Sequence, residues 1–351
     1  MVTLEDNKYA SAFAETRIGG RAENQDNYGF ATTRFGFLMT VCDGMGGGPG
    51  GRTASSIAVK EIIEGIKEAD TENTTANNLI RAIRRANKAI LDRAKEEPEL
   101  QGMGSTCTAL ILTDKNAIIA HVGDSRVYQF RGSKKLFRTF DHSMVFELVK
   151  KKVLTEEQAR LSEQSNVITR ALGVQDDVEV ELNIVPYKKG DRFMLCTDGI
   201  HGSMPEDKLI HLVTTKSIVL GKLIDQIATT VDENGRKKGG HHDNLTLILA
   251  DALIDSEDKA PTPKRTRYSL LFLLAFCIIV GISCFAMAIK SCQQNKGEDE
   301  QAILEDTTKV EKEDTARIIA DTSAVRSSSL DSLATQSDSI SSTNQNNNET
   351  E

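Results

Sequence analysis

The first 250 residues or so carry two kinds of apolar pattern. Two segments, 53–66 and 79–91, have apolar residues at helical spacing, and Pro98 closes the second. Short apolar runs predict strands at 35–42, 107–113, 117–122, 126–130, 178–185, 192–196 and 245–249. Several of these runs follow one another without an intervening helix, which disfavours a purely alternating parallel sheet. The pattern therefore predicts an α+β sandwich.

A different pattern follows near the C-terminus. Residues 268–289 contain no charged side chain, and a helix of about 22 residues is long enough to cross a bilayer. Lys264, Arg265 and Arg267 precede the segment, so the positive-inside rule predicts a cytoplasmic N-terminal domain. The alternative is a buried core helix, which the polar flanks and the all-round apolar surface disfavour. We predict a single-pass membrane protein with a basic linker at 259–267 and a transmembrane helix at 268–289.

The charge distribution adds a third region. The 351 residues include 43 basic and 51 acidic side chains, a formal net charge of −8. Residues 290–351 are rich in Ser, Thr, Asn, Gln and acids and lack aromatics, which predicts a disordered, extracytoplasmic tail. This tail is either a solubilising extension or a signal carrier. The domain before the linker is also acidic, which argues against a nucleic-acid partner.

The cysteines and glycines exclude some kinds of site. The six cysteines show no CxxC or zinc-type spacing, and a chain of this size with so few cysteines is typical of a reducing compartment. The glycine-rich run at 44–51 precedes a predicted helix and is compatible with phosphate binding. It lacks the spacing of a nucleotide P-loop.

Aspartates recur at the ends of predicted strands. Five of them stand at or beside such ends: Asp26, Asp43, Asp124, Asp198 and Asp243. A single Asp-Gly pair is typical of an ordinary turn. Five buried carboxylates need partners, and few basic residues stand near them in the sequence. Because all the candidate ligands are oxygens, the pattern predicts Mg²⁺ or Mn²⁺ rather than zinc.

The motifs that contain these aspartates resemble those of one family, the metal-dependent Ser/Thr protein phosphatases of the 2C type (PPM family), in their bacterial form. In order, the matching segments are RAENQDN at 21–27, VCDGMGG at 41–47, GSTCTA at 104–109, VGDSR at 122–126, DHS at 141–143, TRALG at 169–173, CTDG at 196–199 and DNLT at 243–246. The resemblance implies a catalytic domain at 1–258. Its fold would be a central antiparallel β-sandwich with helices on both faces, in four αββα layers, and a flap at about 141–183.

The resemblance also implies metal ligands. Position by position, they are Asp26, Asp43, Gly44, Asp124, Asp198 and Asp243. Asp43 would bridge two core Mn²⁺ or Mg²⁺ ions, and the backbone carbonyl of Gly44 would contact one of them. Asp198 and Asp243 would complete the protein ligands of that pair. Asp124 would bind a third, weaker ion.

Two further implied roles concern water and the substrate. Asp26 would act mostly through bound water, and Arg21 would hold the substrate phosphate, so Arg21, Asp43, Asp198 and Asp243 are the predicted catalytic residues. Water activated between two ions would attack phosphorus directly, without a phosphoenzyme intermediate. Met45 stands where animal relatives have a histidine proposed as the general acid, so that role is unassigned.

Phosphoserine and phosphothreonine proteins are the substrates that the resemblance implies. With a membrane anchor, the lipid bilayer and a membrane-associated Ser/Thr kinase become expected partners, and we expect a monomer. One alternative is a metal-free phosphoprotein-binding module, which has little reason to keep so many adjacent acids. Another is a metal-dependent nuclease, which the acidic domain and the absence of basic-aromatic patches disfavour.

Overall fold

The computed structural model describes residues 3–46, 48–216, 218–258 and 281–287. Within them the strands are β1 Thr3–Asp6, β2 Ala10–Arg17, β3 Asp26–Thr33, β4 Gly36–Met45, β5 Gly104–Ser105, β6 Cys107–Leu112, β7 Ala117–Val122, β8 Arg126–Arg131, β9 Lys134–Arg138, β10 Glu181–Val185, β11 Arg192–Cys196 and β12 Leu245–Ala252. The α-helices are α1 Gly48–Glu68, α2 Thr75–Glu96, α3 Met144–Lys150, α4 Glu156–Arg160, α5 Asp198–His201, α6 Glu206–Val213 and α7 Leu220–Lys237.

The strands form two sheets in which every pairing is antiparallel. One sheet has the order β1-β2-β12-β11-β8-β9. The other has the order β10-β7-β6-β4-β3, and the short β5 extends it by pairing with the end of β4. The predicted α+β class with antiparallel sheets is confirmed.

Three apolar clusters separate four layers. Alternate residues of β4 point to opposite faces: Phe37, Met39 and Val41 pack between the sheets, while Leu38 and Cys42 pack against α1 and α2. A third cluster joins the other sheet to α6 and α7. A strand that is buried on both faces reads as a continuous apolar run, which is why β4 was predictable from the sequence.

Several elements differ from the sequence prediction. The helix predicted at 53–66 begins earlier, at Gly48, and the strand predicted at 178–185 begins later, at Glu181. The sequence prediction also missed several elements, among them β2, β3, α6 and α7. β2 contains three alanines among its eight residues, and alanine is a weak strand former.

Most of the C-terminal predictions fall outside the described residues. This applies to the basic linker at 259–267, to the tail at 290–351, and to the predicted transmembrane helix except for 281–287, which are helical and exposed. Among the residues whose placement is described, we find no helix with both the length and the apolar character needed to span a bilayer.

Candidate active site

Strand ends from both sheets bring the five predicted aspartates to one end of the sandwich. Asp26 begins β3 and is the register partner of Asp43 in β4. Asp198 begins α5 directly after β11, and Asp243 lies two residues before β12. Asp124 lies in the turn between β7 and β8. Residues that are up to 217 positions apart in the sequence are therefore close enough for their charges to act on one another, and three of them, Asp124, Asp198 and Asp243, line a common cleft.

The carboxyl groups of this cleft perturb one another. Burial raises the pKa of Asp26 to about 7, against hydrogen bonds from Thr246 and Thr197 and with further repulsion from Asp198 and Asp243. Burial, followed by the charge of Asp243, raises the pKa of Asp198 to about 6. Burial and the other four aspartates hold the pKa of Asp43 well above its usual range. The cleft therefore concentrates negative charge that water solvates poorly.

This donor set fits hard divalent cations. Oδ1 of Asp198 is buried and has no hydrogen-bond partner among the described residues, although a buried carboxylate oxygen is normally paired. Its carboxyl group also lies within hydrogen-bond distance of Asp43. Every candidate ligand is an oxygen, as Mg²⁺ and Mn²⁺ prefer. The five carboxylates are spaced more loosely than the ligands of a single ion, so any shared ions would also need water as a ligand.

Gly44 is required by close packing. A Cβ atom at this position would lie 1.9 Å from the carbonyl oxygen of Gly51 and 2.7 Å from that of Gln25. The Gly44 amide also donates to the Gln25 carbonyl at 3.1 Å. These contacts hold the end of β4, which carries Asp43, against the start of α1 and the loop before β3.

Arg21 lies at the open side of the cleft. Its Nη2 donates to Oδ2 of Asp243 at 2.6 Å, and its side chain is 52% exposed. Asn244 fixes the loop that carries Arg21. Its amide donates to the carbonyls of Ile18 and Glu23, and its Oδ1 accepts from the Gln25 amide.

Three supporting residues were missed as functional candidates. Thr197 Oγ1 donates to Oδ2 of Asp26 at 2.9 Å, and Thr106 Oγ1 accepts from the Asp43 amide at 2.9 Å. Asn244 is the third. Each of the three lies inside a motif that the sequence analysis quoted, next to or facing a predicted ligand. The sequence signal was therefore present, but only the fold shows which atoms these side chains contact.

His142 and Ser143 of the DHS motif lie outside the cleft lining, whereas Asp141 is at its edge. Asp141 pairs with Arg126 through two hydrogen bonds of 2.6 and 2.7 Å, both side chains being buried. His142 stacks on His121 with ring centroids 4.4 Å apart and an angle of 17°. The ligand atoms of these two histidines and Glu181 lie within 4.8 Å of one another. Nearly parallel rings cannot direct their nitrogen lone pairs at one ion, so we assign this group to joining the DHS loop to the sheet.

The predicted flap covers one side of a cavity of about 430 Å³. Asp198 and Asp243 line this cavity, as do Phe146 and Arg160 from the flap. A small cluster of Val145, Phe146 and Ala159 packs α3 against α4. The last residues of the range predicted for the flap, 181–183, belong to β10 instead.

Comparison with known proteins identifies the family. The profile of the protein phosphatase 2C family matches residues 15–242. The chain belongs to the protein phosphatase 2C family. Serine/threonine phosphatase Stp of Listeria monocytogenes is 34% identical over 237 residues, 66% of this chain and 88% of the relative. These similarities make the chain a protein serine/threonine phosphatase.

Solved structures of the family share the fold. The crystal structure of serine/threonine phosphatase Stp1 from Staphylococcus aureus matches with a TM-score of 0.63 and 29% identity, over 68% of this chain and 94% of that one. The catalytic domain of the phosphatase PstP, in complex with two manganese ions, matches with a TM-score of 0.59 and 25% identity. That match covers 72% of this phosphatase and 100% of the PstP chain.

Met45 of this phosphatase has no proton-donating group in its side chain, at the position where animal relatives have a histidine. Met45 pairs with Gly104 in the β4–β5 ladder. Three histidines line the cavity elsewhere, and the buried His201 has its Nε2 3.0 Å from the Asp124 carbonyl oxygen. His242 is bound through Nε2 to Oδ1 of Asp232 at 2.8 Å, and His241 is exposed.

Proposed function

We propose that this phosphatase hydrolyses phosphoserine and phosphothreonine on proteins in a reaction that depends on divalent cations, with water as the direct nucleophile. The observation that supports this proposal is the buried group of aspartates. Without cations, their charges repel one another and one carboxylate oxygen is left without a partner. Bound Mn²⁺ or Mg²⁺ would supply positive charge that activates water and offsets the charge of the phosphoryl oxygens.

The ligand roles follow the order of the motifs. Asp43, the Gly44 carbonyl, Asp198 and Asp243 would hold the two core ions. Asp26, beside Asp43 in the ladder, acts mostly through water. Asp124 would hold a third ion more weakly.

Arg21 binds the phosphoryl group. Its guanidinium is at the mouth of the cleft and uses one nitrogen for Asp243, which leaves donors on the other nitrogens for two phosphoryl oxygens. Such paired hydrogen bonds are the usual geometry of arginine with phosphate. The contact orients the phosphoryl group and offsets charge that develops as the ester bond breaks.

The direct test is hydrolysis of a phosphothreonine peptide by the full chain. We expect turnover with Mn²⁺, none with EDTA, and a loss of at least a hundredfold in Asp198→Asn. The matched control is Asp176→Asn, which removes an exposed carboxylate outside the cleft. Equal turnover in EDTA would contradict the metal dependence. A folded wild-type protein without turnover would favour the phosphoprotein-binding alternative.

We further propose that residues 268–289 anchor the catalytic domain at the cytoplasmic face of a membrane, where it opposes a membrane-associated Ser/Thr kinase. The uncharged segment and the basic residues before it support this proposal. The full chain should sediment with membranes, whereas a chain ending at Asp258 should not. Protease added to intact cells should remove the tail and spare the domain. A full chain in the soluble fraction, or a cleaved domain beside an intact tail, would overturn this proposal.

A further inference from the structure

A second groove opens beside the catalytic cavity. Its volume is about 720 Å³, and it lies between the flap helix α4 and the pair α6 and α7. Arg160, Ser203 and Lys238 line both the groove and the catalytic cavity. A polypeptide whose phosphate lies in the cleft can therefore continue into the groove without leaving the surface.

The groove carries positive charge that the protein does not neutralise. Among the described residues, no carboxylate lies within 4.0 Å of the Lys208 or Lys238 ammonium groups, and Lys238 Nζ donates only to the Ser203 carbonyl, at 3.3 Å. Arg160 is paired with Glu157. Asp207 is the acidic residue in the groove lining. His211 also lines the groove.

The carboxylates at the edge of the catalytic cavity differ from the two lysines of the groove, because each carboxylate has a partner of opposite charge. Arg126 pairs with Asp141 at 2.6 Å, and Arg138 pairs with Glu156 and Glu206 at 2.6 and 2.7 Å. Outside the group of aspartates, the unpaired charges among the described residues next to the cleft therefore include Lys208 and Lys238 against the single carboxylate of Asp207, so the groove has a net positive charge.

We propose that this groove binds acidic residues on one side of the phosphorylated residue, so that the enzyme prefers phosphoproteins with acidic flanking sequences. The inference rests on the proposed phosphatase function. Exposed ion pairs are individually weak and screened by salt, so each lysine should contribute about two- to fivefold to kcat/KM. The preference should shrink as salt is added.

The test uses the full chain with Mn²⁺ and four phosphothreonine peptides. Two of the peptides carry a pair of aspartates, one before the phosphothreonine and the other after it. The other two peptides carry lysines at the same positions. For the peptides substituted on one side of the phosphothreonine, the wild-type kcat/KM for the aspartate peptide should be about ten times that for the lysine peptide at low salt. Lys208→Gln and Lys238→Gln should each lower that ratio two- to fivefold.

Lys222→Gln is the matched control, since it removes an exposed lysine from α7 outside both cavities. The ratio should be unchanged in this variant. Ratios near one on both sides in wild type, or an equal loss in Lys222→Gln, would overturn the inference while leaving the phosphatase function intact. Failure to hydrolyse any of the four peptides would instead contradict the proposed function.

Discussion

Asp198→Asn should inactivate the phosphatase and, in the absence of metal, make it more stable. The variant removes one charge from a group of carboxylates that repel one another. It also replaces a buried oxygen that lacks a partner with an amide, which can donate a hydrogen bond to the neighbouring Asp43 carboxyl group.

The magnitude follows from the pKa. In the folded protein the pKa of Asp198 is raised from 3.8 to about 6, which corresponds to about 3 kcal/mol of destabilisation once the group is ionised. Because the residue keeps some contact with water, we expect about 2–3 kcal/mol, or a rise in Tm of about 5–10 °C for a domain of this size. Because the folded-state pKa is raised, the destabilisation by ionised Asp198 appears as the pH rises. It is absent below about pH 4 and is complete above about pH 7.

Thermal unfolding in EDTA at pH 5, 6, 7 and 8 measures this effect. The Tm of wild type should fall as pH rises through this range, and that of Asp198→Asn should fall less. Excess Mn²⁺ should raise the Tm of wild type, by about 2.7 kcal/mol of stability at a concentration 100 times Kd, and should raise that of the variant less. The reasoning would be refuted if Asp198→Asn had a lower Tm than wild type in EDTA at pH 8 while the Tm of Asp176→Asn was unchanged. Repulsion between the carboxylates would then not be the main effect of Asp198 on stability.

Three further substitutions test the supports of the site. Gly44→Ala should destabilise the fold by more than about 4 kcal/mol, measured by denaturant unfolding, because its Cβ would overlap the Gly51 carbonyl. Asn244→Ala removes three hydrogen bonds to the loop that carries Arg21. It should lower kcat/KM at least tenfold and the free energy of unfolding by about 1–3 kcal/mol. An unchanged kcat/KM would show that the loop keeps its position without these hydrogen bonds. Thr197→Val removes a hydrogen-bond donor to the Asp26 carboxylate and should raise the pKa of Asp26 further. The acidic limb of the pH–rate profile should therefore move to higher pH. An acidic limb at the same pH would contradict a role for this hydrogen bond in setting the pKa of Asp26.

The buried strands were predictable because their apolar runs have no competing interpretation. The structure has β6 at Cys107–Leu112, β7 at Ala117–Val122 and β11 at Arg192–Cys196, close to the predicted ranges. The end of β4 was not predictable. The apolar run stops at Cys42, but β5 pairs with Gly44 and Met45 and extends the strand past Asp43. A contact between distant segments therefore decided where this strand ended.

The sequence also limits what could be said of the candidate site. The motifs pointed to aspartates at strand ends, but pairing Asp26 with Asp43 depends on the register of β3 and β4. No local pattern contains that register, because β3 is only partly buried and was not predicted as a strand. The Arg21–Asp243 contact likewise joins residues 222 positions apart.

The same packing explains how the fold tolerates its group of aspartates. Asp43 lies in β4, and Asp198 follows β11 after one residue; both strands are buried on both faces, within apolar clusters that include Val41, Cys42, Leu195 and Cys196. Large buried areas of this kind stabilise the domain by far more than a few kcal/mol before chain entropy is subtracted. The strands therefore hold the carboxylates close together even where their mutual repulsion is unfavourable. In a site built on flexible loops, the carboxylates would move apart instead. Ion binding would then have to order the loops as well as neutralise the charge.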